Sequence, residues 1–240
     1  MIYSVKKFLA DHRATDFNEV ISEVALGFPD LQTLWNAKPE INQACRVPWL
    51  HTWIATRSGV LNTEDLLKFS LYCFSRISAS SSRLDLIDSK AAQILRFGSL
   101  SLELASRKAM QYGLENTSVV TEFRELYRNI RIRYNKLRNQ DDLLAGFISD
   151  VVQGCCLITD HRLKSGTAFR LAMDSAGYFG CLEWKSLSFK GVKVSLKSGN
   201  YKSNRATSNE LIRQAHWLVE NTKPNFEQPL EFRSLKFDFS

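Results

Sequence analysis

Residues 178–197, YFGCLEWKSLSFKGVKVSLK, decide how this chain is read. The run from Tyr178 to Phe189 is rich in aromatics. Beyond it, Val192, Val194 and Leu196 alternate with Lys193, Ser195 and Lys197, which is the period of a half-buried strand. Lys190-Gly191 falls between the two runs, where a glycine supplies turn geometry. The segment therefore predicts a β-hairpin. Ser198-Gly199-Asn200 reads as a second turn. Residues 208–221 read as a helix opening with Thr207 and Glu210 at capping-box spacing. Leu230 to Phe239 reads as a closing strand, with a bulge near Ser234.

Upstream the period changes to that of helices. Residues 16–27 place Phe17, Val20, Ile21 and Val24 on one face, with Gly27 and Pro29 ending the pattern. A helix capped by Asn62 or Thr63 runs to about Ser78, with Glu64 and Asp65 in its first turn, where the dipole favours acids. Ser78 to Ser82 reads as a short linker. Helical patterns resume over 84–97 and 99–112, punctuated by Gly98 and Gly113. The expected fold class is α+β: a helical part over 1–160 and a smaller, mixed, basic part over 161–240. The boundary is soft, because no Pro/Gly-rich linker marks it.

The charge is one-sided. Residues 124–138 carry +5, residues 139–161 return −4 and residues 162–205 carry +7, so 124–205 hold +8 against a whole-chain net of +7, and the rest is close to neutral. Such a footprint suits an anionic partner, and nucleic acid is the commonest one. Residues 122–138, EFRELYRNIRIRYNKLR, place Phe123, Leu126, Tyr127, Ile130, Tyr134 and Leu137 on one arc of a helix. Arg124, Arg128, Arg131, Asn135 and Arg138 form an adjacent stripe. Arginine's planar fork suits phosphate, and the stripe climbs in steps comparable to the spacing of successive phosphates. The alternative is a solvated face, or pairing with the acidic helix start Asp141-Asp142. On the predicted hairpin, Lys193 and Lys197 share a face. Lys185 and Lys190 flank it, and Lys202 and Arg205 follow. With Trp184, Phe189 and Tyr201 nearby, this could be a stacking and phosphate-tracking surface, or lysines guarding an edge strand.

Enzymatic signals are weak. Glu183-Trp184-Lys185 on a strand, with Asp160 or Asp174 as an earlier acid, would resemble the metal-binding core of Mg²⁺-dependent nucleases, but the usual Pro-Asp context is missing. Cys155, Cys156, His161 and Cys181 lack the paired spacing of a zinc site, so core packing is the better reading. Glycine-rich phosphate loops and a Gly-x-Ser-x-Gly elbow are absent from the sequence. No metal or cofactor is expected. Five cysteines with no framework spacing, and an N-terminal apolar run too short for a secretory signal, point to reduced thiols in the cytoplasm or nucleus. No stretch is apolar enough to span a membrane.

The first expectation is a non-enzymatic protein that binds RNA or DNA through phosphates with little sequence readout. A packaging or nucleocapsid-like role of viral type would suit it. Self-association through the aromatic tail (Phe232, Phe237, Phe239) would accompany that role. The alternatives are a protein-interaction or scaffolding factor with a basic face, and the Mg²⁺-dependent nuclease.

Overall fold

The computed structural model describes residues 4–11, 25–37, 46–57, 60–137, 143–158, 164–189 and 205–226. Ten helices follow in order among them: α1 (Val5–Asp11), α2 (Leu31–Asn36), α3 (Arg46–Ala55), α4 (Thr63–Ser78), α5 (Ser81–Ile87), α6 (Ser89–Tyr112), α7 (Thr117–Leu137), α8 (Leu143–Leu157), α9 (Lys164–Phe189) and α10 (Arg205–Asn221). The expected α+β class is corrected. Among the described residues the fold is helical, and the one isolated bridge joins Ser4 to Asp30.

The correction falls on the stretch that decided the reading. Tyr178 to Phe189 is the second half of helix α9, not a strand. No residue from Leu171 to Ser186 is exposed. A helix buried nearly all round loses the alternation between an apolar and a polar face on which helical period depends. The remainder of the predicted hairpin, the turn at 198–200 and the closing strand at 230–239 lie outside the described residues. So does most of the predicted helix 16–27.

Helix boundaries follow local chemistry where the chain is polar. Asn62 caps α4, its side-chain oxygen accepting the Asp65 amide at 2.7 Å. Asp88 caps α6 through the Ala91 amide at 3.0 Å. This cap, rather than Gly98, is where the chain breaks. The predicted pair 84–97 and 99–112 is instead short α5 followed by one continuous helix. Gly98 lies inside α6 because a Cβ there would come within 2.8 Å of Val152 on α8. Gly113, at φ +82°, does end α6 as expected. The predicted linker at 78–82 shrinks to Ala79-Ser80, since α5 starts at Ser81. The capping box at Thr207 and Glu210 is also corrected, because α10 is already under way at Arg205 and both side chains are buried.

Helix α8 sits at the centre, packed on α9, α7, α6 and α4. Its apolar run (Leu144, Ile148, Val151, Val152, Cys155) is buried. Gly154 lets it approach α9, where a Cβ would meet Leu171 at 2.7 Å. Helix α9 in turn packs on α4 and α10, and α10 on α3. One cluster of buried apolar side chains extends from Val5 and Phe8 to Leu218 and Phe226. The chain after α10 is tied back by the Asn225 amide, which donates to the Val60 carbonyl at 2.9 Å. Phe226 packs edge-on against Trp35.

Candidate functional site

Helix α7 lies at the margin of the bundle, packed mainly on α8 and α6. Phe123 and Ile130 are fully buried, Leu126 nearly so, and Tyr127 and Tyr134 half-buried. Gly146 on α8 makes room for the Tyr134 hydroxyl, which lies 3.1 Å from where a Cβ would stand. This anchors the arc that the sequence assigns to the core. Arg124, Arg128 and Arg131 are exposed on the adjacent arc. None of the three has an ion-pair or hydrogen-bond partner among the described residues. Arg138, and the acidic pair Asp141-Asp142 offered as an internal partner, lie outside them. Arg133 faces away from the stripe, its guanidinium 4.0 Å from the centre of the Phe97 ring on α6, and Glu122 pairs with Lys108 on α6.

A small pocket opens on the seam between the two arcs. Val120, Phe123 and Tyr127 of α7 and Cys156 and Leu157 of α8 line it, Arg124 and Arg128 border it, and its volume is about 100 Å³. Burial pushes the Cys156 thiol well above its ordinary range, so it is neutral. Sequence reasoning assigns Tyr127 and Cys156 to the core only. No local signal could bring them together, because they meet through the packing of α7 on α8.

The second basic block has a different environment. Lys185 is three-quarters buried and its ammonium lies 2.6 Å from the carboxylate of Asp88, the residue that caps α6. Arg170 pairs with Asp174 at 3.7 Å. Arg205 is exposed at the start of α10. Lys190, Lys193, Lys197 and Lys202, with Tyr201, lie outside the described residues. Trp184, expected on a stacking surface, is half-buried, and its indole N–H has no partner among the described residues.

Placing Glu183-Trp184-Lys185 on a helix undoes the strand-borne metal site. Successive residues turn ~100°, so Glu183 and Lys185 point to roughly opposite sides. Asp174 and Glu183 are separated by ~13 Å of helix rise and half a turn. Asp160 lies outside the described residues. Among the described residues there is no group of three His, Cys, Asp or Glu placed to hold a metal. Cys73, Cys155, Cys156 and Cys181 are buried thiols. His51 is a buried structural histidine, its Nε2 2.8 Å from the Trp35 carbonyl.

Two further features escaped the sequence. Glu210 is fully buried on α10 and meets Arg76 of α4 at 3.3 Å and Arg213 at 3.4 Å. An open groove of about 520 Å³ runs between α4 and α6, with Leu71, Phe74 and Leu102 among its walls and Ser75, Ser78, Ser99 and Ser106 along it. Leu100, Leu104 and Met110 are exposed on α6. No described helix is long and apolar enough to cross a membrane.

The described architecture is thus a helical bundle with an arginine-rich helix at its margin. No protein-family model, curated protein or solved structure matches the chain.

Proposed function

We propose that this chain is a non-enzymatic nucleic-acid-binding protein that holds phosphates along Arg124, Arg128 and Arg131 of α7. The observation that carries this reading is the exposed row itself, in which three guanidiniums at i, i+4 and i+7 have no partner among the described residues. The helix rises ~6 Å from the first to the second and ~4.5 Å to the third. The buried arc beneath fixes the helix backbone from which they project, so the row keeps its pitch when an anion binds. Arginine binds phosphate through two parallel hydrogen bonds and reads no base by doing so. Buried thiols at Cys73, Cys155, Cys156 and Cys181 suit a reducing compartment, the cytoplasm or nucleus.

The test is fluorescence anisotropy with labelled single-stranded RNA, single-stranded DNA and duplex DNA across a salt series. Affinity is expected to fall steeply with salt. The Arg128→Ala/Arg131→Ala double variant should weaken binding and lower the log–log slope by about one for each phosphate it no longer neutralises. No binding at low salt, or a double variant that binds like the parent, overturns the reading.

A second reading is a protein-interaction factor. The groove between α4 and α6, with Leu71, Phe74 and Leu102 among its walls, favours it. Saturable binding to one protein, with no affinity for polynucleotides, would select that reading.

A further inference from the structure

We propose that the pocket between α7 and the end of α8 seats one unpaired base, so that the protein selects single-stranded over duplex nucleic acid. The inference rests on the phosphate-binding reading of α7 and deepens it.

The pocket's chemistry is graded from floor to rim. Its floor and walls are apolar or aromatic: Val120, Phe123, Tyr127, Cys156 and Leu157. The neutral Cys156 thiol adds no charge there. A phosphate would lose its hydration against such a floor with nothing to replace it. A base loses much less, because its faces are apolar. Both cations, Arg124 and Arg128, stand at the rim, one helical turn apart. Tyr127 is half-buried, so its ring is held by packing while part of it remains accessible. An aromatic ring in an apolar recess below two guanidiniums matches a nucleotide unit. The base would enter the recess and stack on the Tyr127 ring, and the flanking phosphates would meet the rim.

Geometry excludes a paired base. In a duplex the base faces are stacked and the phosphates form the outer surface, so a base reaches a lateral recess only after unstacking and unpairing. Arg131 continues the row away from the pocket and would take a further phosphate of the same strand.

The experiment compares one fluorescent oligoribonucleotide, single-stranded and annealed to its complement, by anisotropy at several salt concentrations. A second copy of the strand carries 2-aminopurine, whose emission reports stacking. Val120→Phe fills the pocket and leaves both arginines. Tyr127→Leu keeps the site apolar and removes the ring, and serves if Val120→Phe does not fold. The parent is expected to bind the single strand about tenfold tighter than the duplex, the worth of one stacked base, and to quench the 2-aminopurine. Either pocket variant should abolish the quench and the preference, while leaving duplex affinity and the salt slope unchanged. Arg124→Ala/Arg128→Ala should weaken both probes. Equal, salt-dependent affinity of the parent for both probes, or a folded pocket variant that retains the preference, overturns the pocket and leaves the basic stripe standing. No binding of either probe at low salt overturns the stripe, and the pocket with it.

Discussion

Helix α7 carries the first basic block of the chain and helix α9 only part of the second, and the fold treats Arg124, Arg128 and Arg131 of the one differently from Lys185 of the other. Helix α7 touches the bundle along one arc, so Arg124, Arg128 and Arg131 face water. Helix α9 is packed on α8, α10, α4, α5 and α3. Its Lys185 is held against Asp88 and its Arg170 lies by Asp174. Net charge along a sequence therefore overstates what is offered to a partner. The cations at the margin are available, whereas Lys185, three-quarters buried, is drawn into an ion pair because burial penalises a charge left alone; Arg170, on the same helix, stays exposed.

That contrast predicts a graded set of outcomes. The largest belongs to the centre of α9. Tyr178 is fully buried, and its hydroxyl lies 2.6 Å from that of Ser80, which also meets the Ile77 carbonyl at 2.7 Å. Tyr178→Ala should lower unfolding stability by about 3–5 kcal/mol, as for other large aromatics removed from a core. Urea denaturation checks it, and a drop below about 1 kcal/mol would break the view of α9 as central.

Next comes the buried carboxylate that ties α10 to α4. Arg76→Ala leaves Glu210 in the interior with Arg213 as its remaining cation, and should cost about 3 kcal/mol at neutral pH.

The same site gives a pH dependence of known sign. Burial lifts the Glu210 carboxyl above its ordinary 4.5, and Arg76 and Arg213 pull it part of the way back. The folded state thus holds this proton more tightly than the unfolded chain does. The resulting stabilisation is complete below pH 4.5 and is lost as pH rises through the folded value. Relative to Glu210→Gln, the parent should become progressively less stable from pH 4.5 towards neutrality. A difference that grows the other way would mean that the two arginines outweigh burial.

The smallest effect bears most directly on the comparison. Lys185→Ala breaks a largely buried pair and uncovers the Asp88 cap, and should cost about 1 kcal/mol. Arg128→Ala should leave the urea midpoint where it is and act on polynucleotide binding instead. Equal destabilisation in the two variants would erase the distinction between the helices.

Legibility in the sequence follows the same divide. The register of α7 is readable because one face meets protein and the other meets water, which writes the helical period into residues 122–138. The Asn62 cap and the Gly113 stop are readable because each depends on chemistry within a few residues. Tyr178 to Phe189 misleads for the converse reason. With no exposed residue from Leu171 to Ser186, most of it has no solvent-facing side to set against an apolar one, and so no period to detect. Gly98 reads as punctuation, although its lack of a Cβ answers to Val152, far along the chain.

By itself, then, the sequence determined that positive charge gathers between residues 124 and 205, and that one amphipathic helix presents a row of arginines. Each follows from composition or from the period along a single element. The tertiary structure decided which cations remain exposed, that Glu183 and Asp174 stand on opposite sides of one helix, and that Tyr127 and Cys156 close a pocket beneath Arg124 and Arg128. Those outcomes depend on which helix packs against which, a matter of burial and close approach between residues distant in the chain. Helical period within one segment carries no information about it.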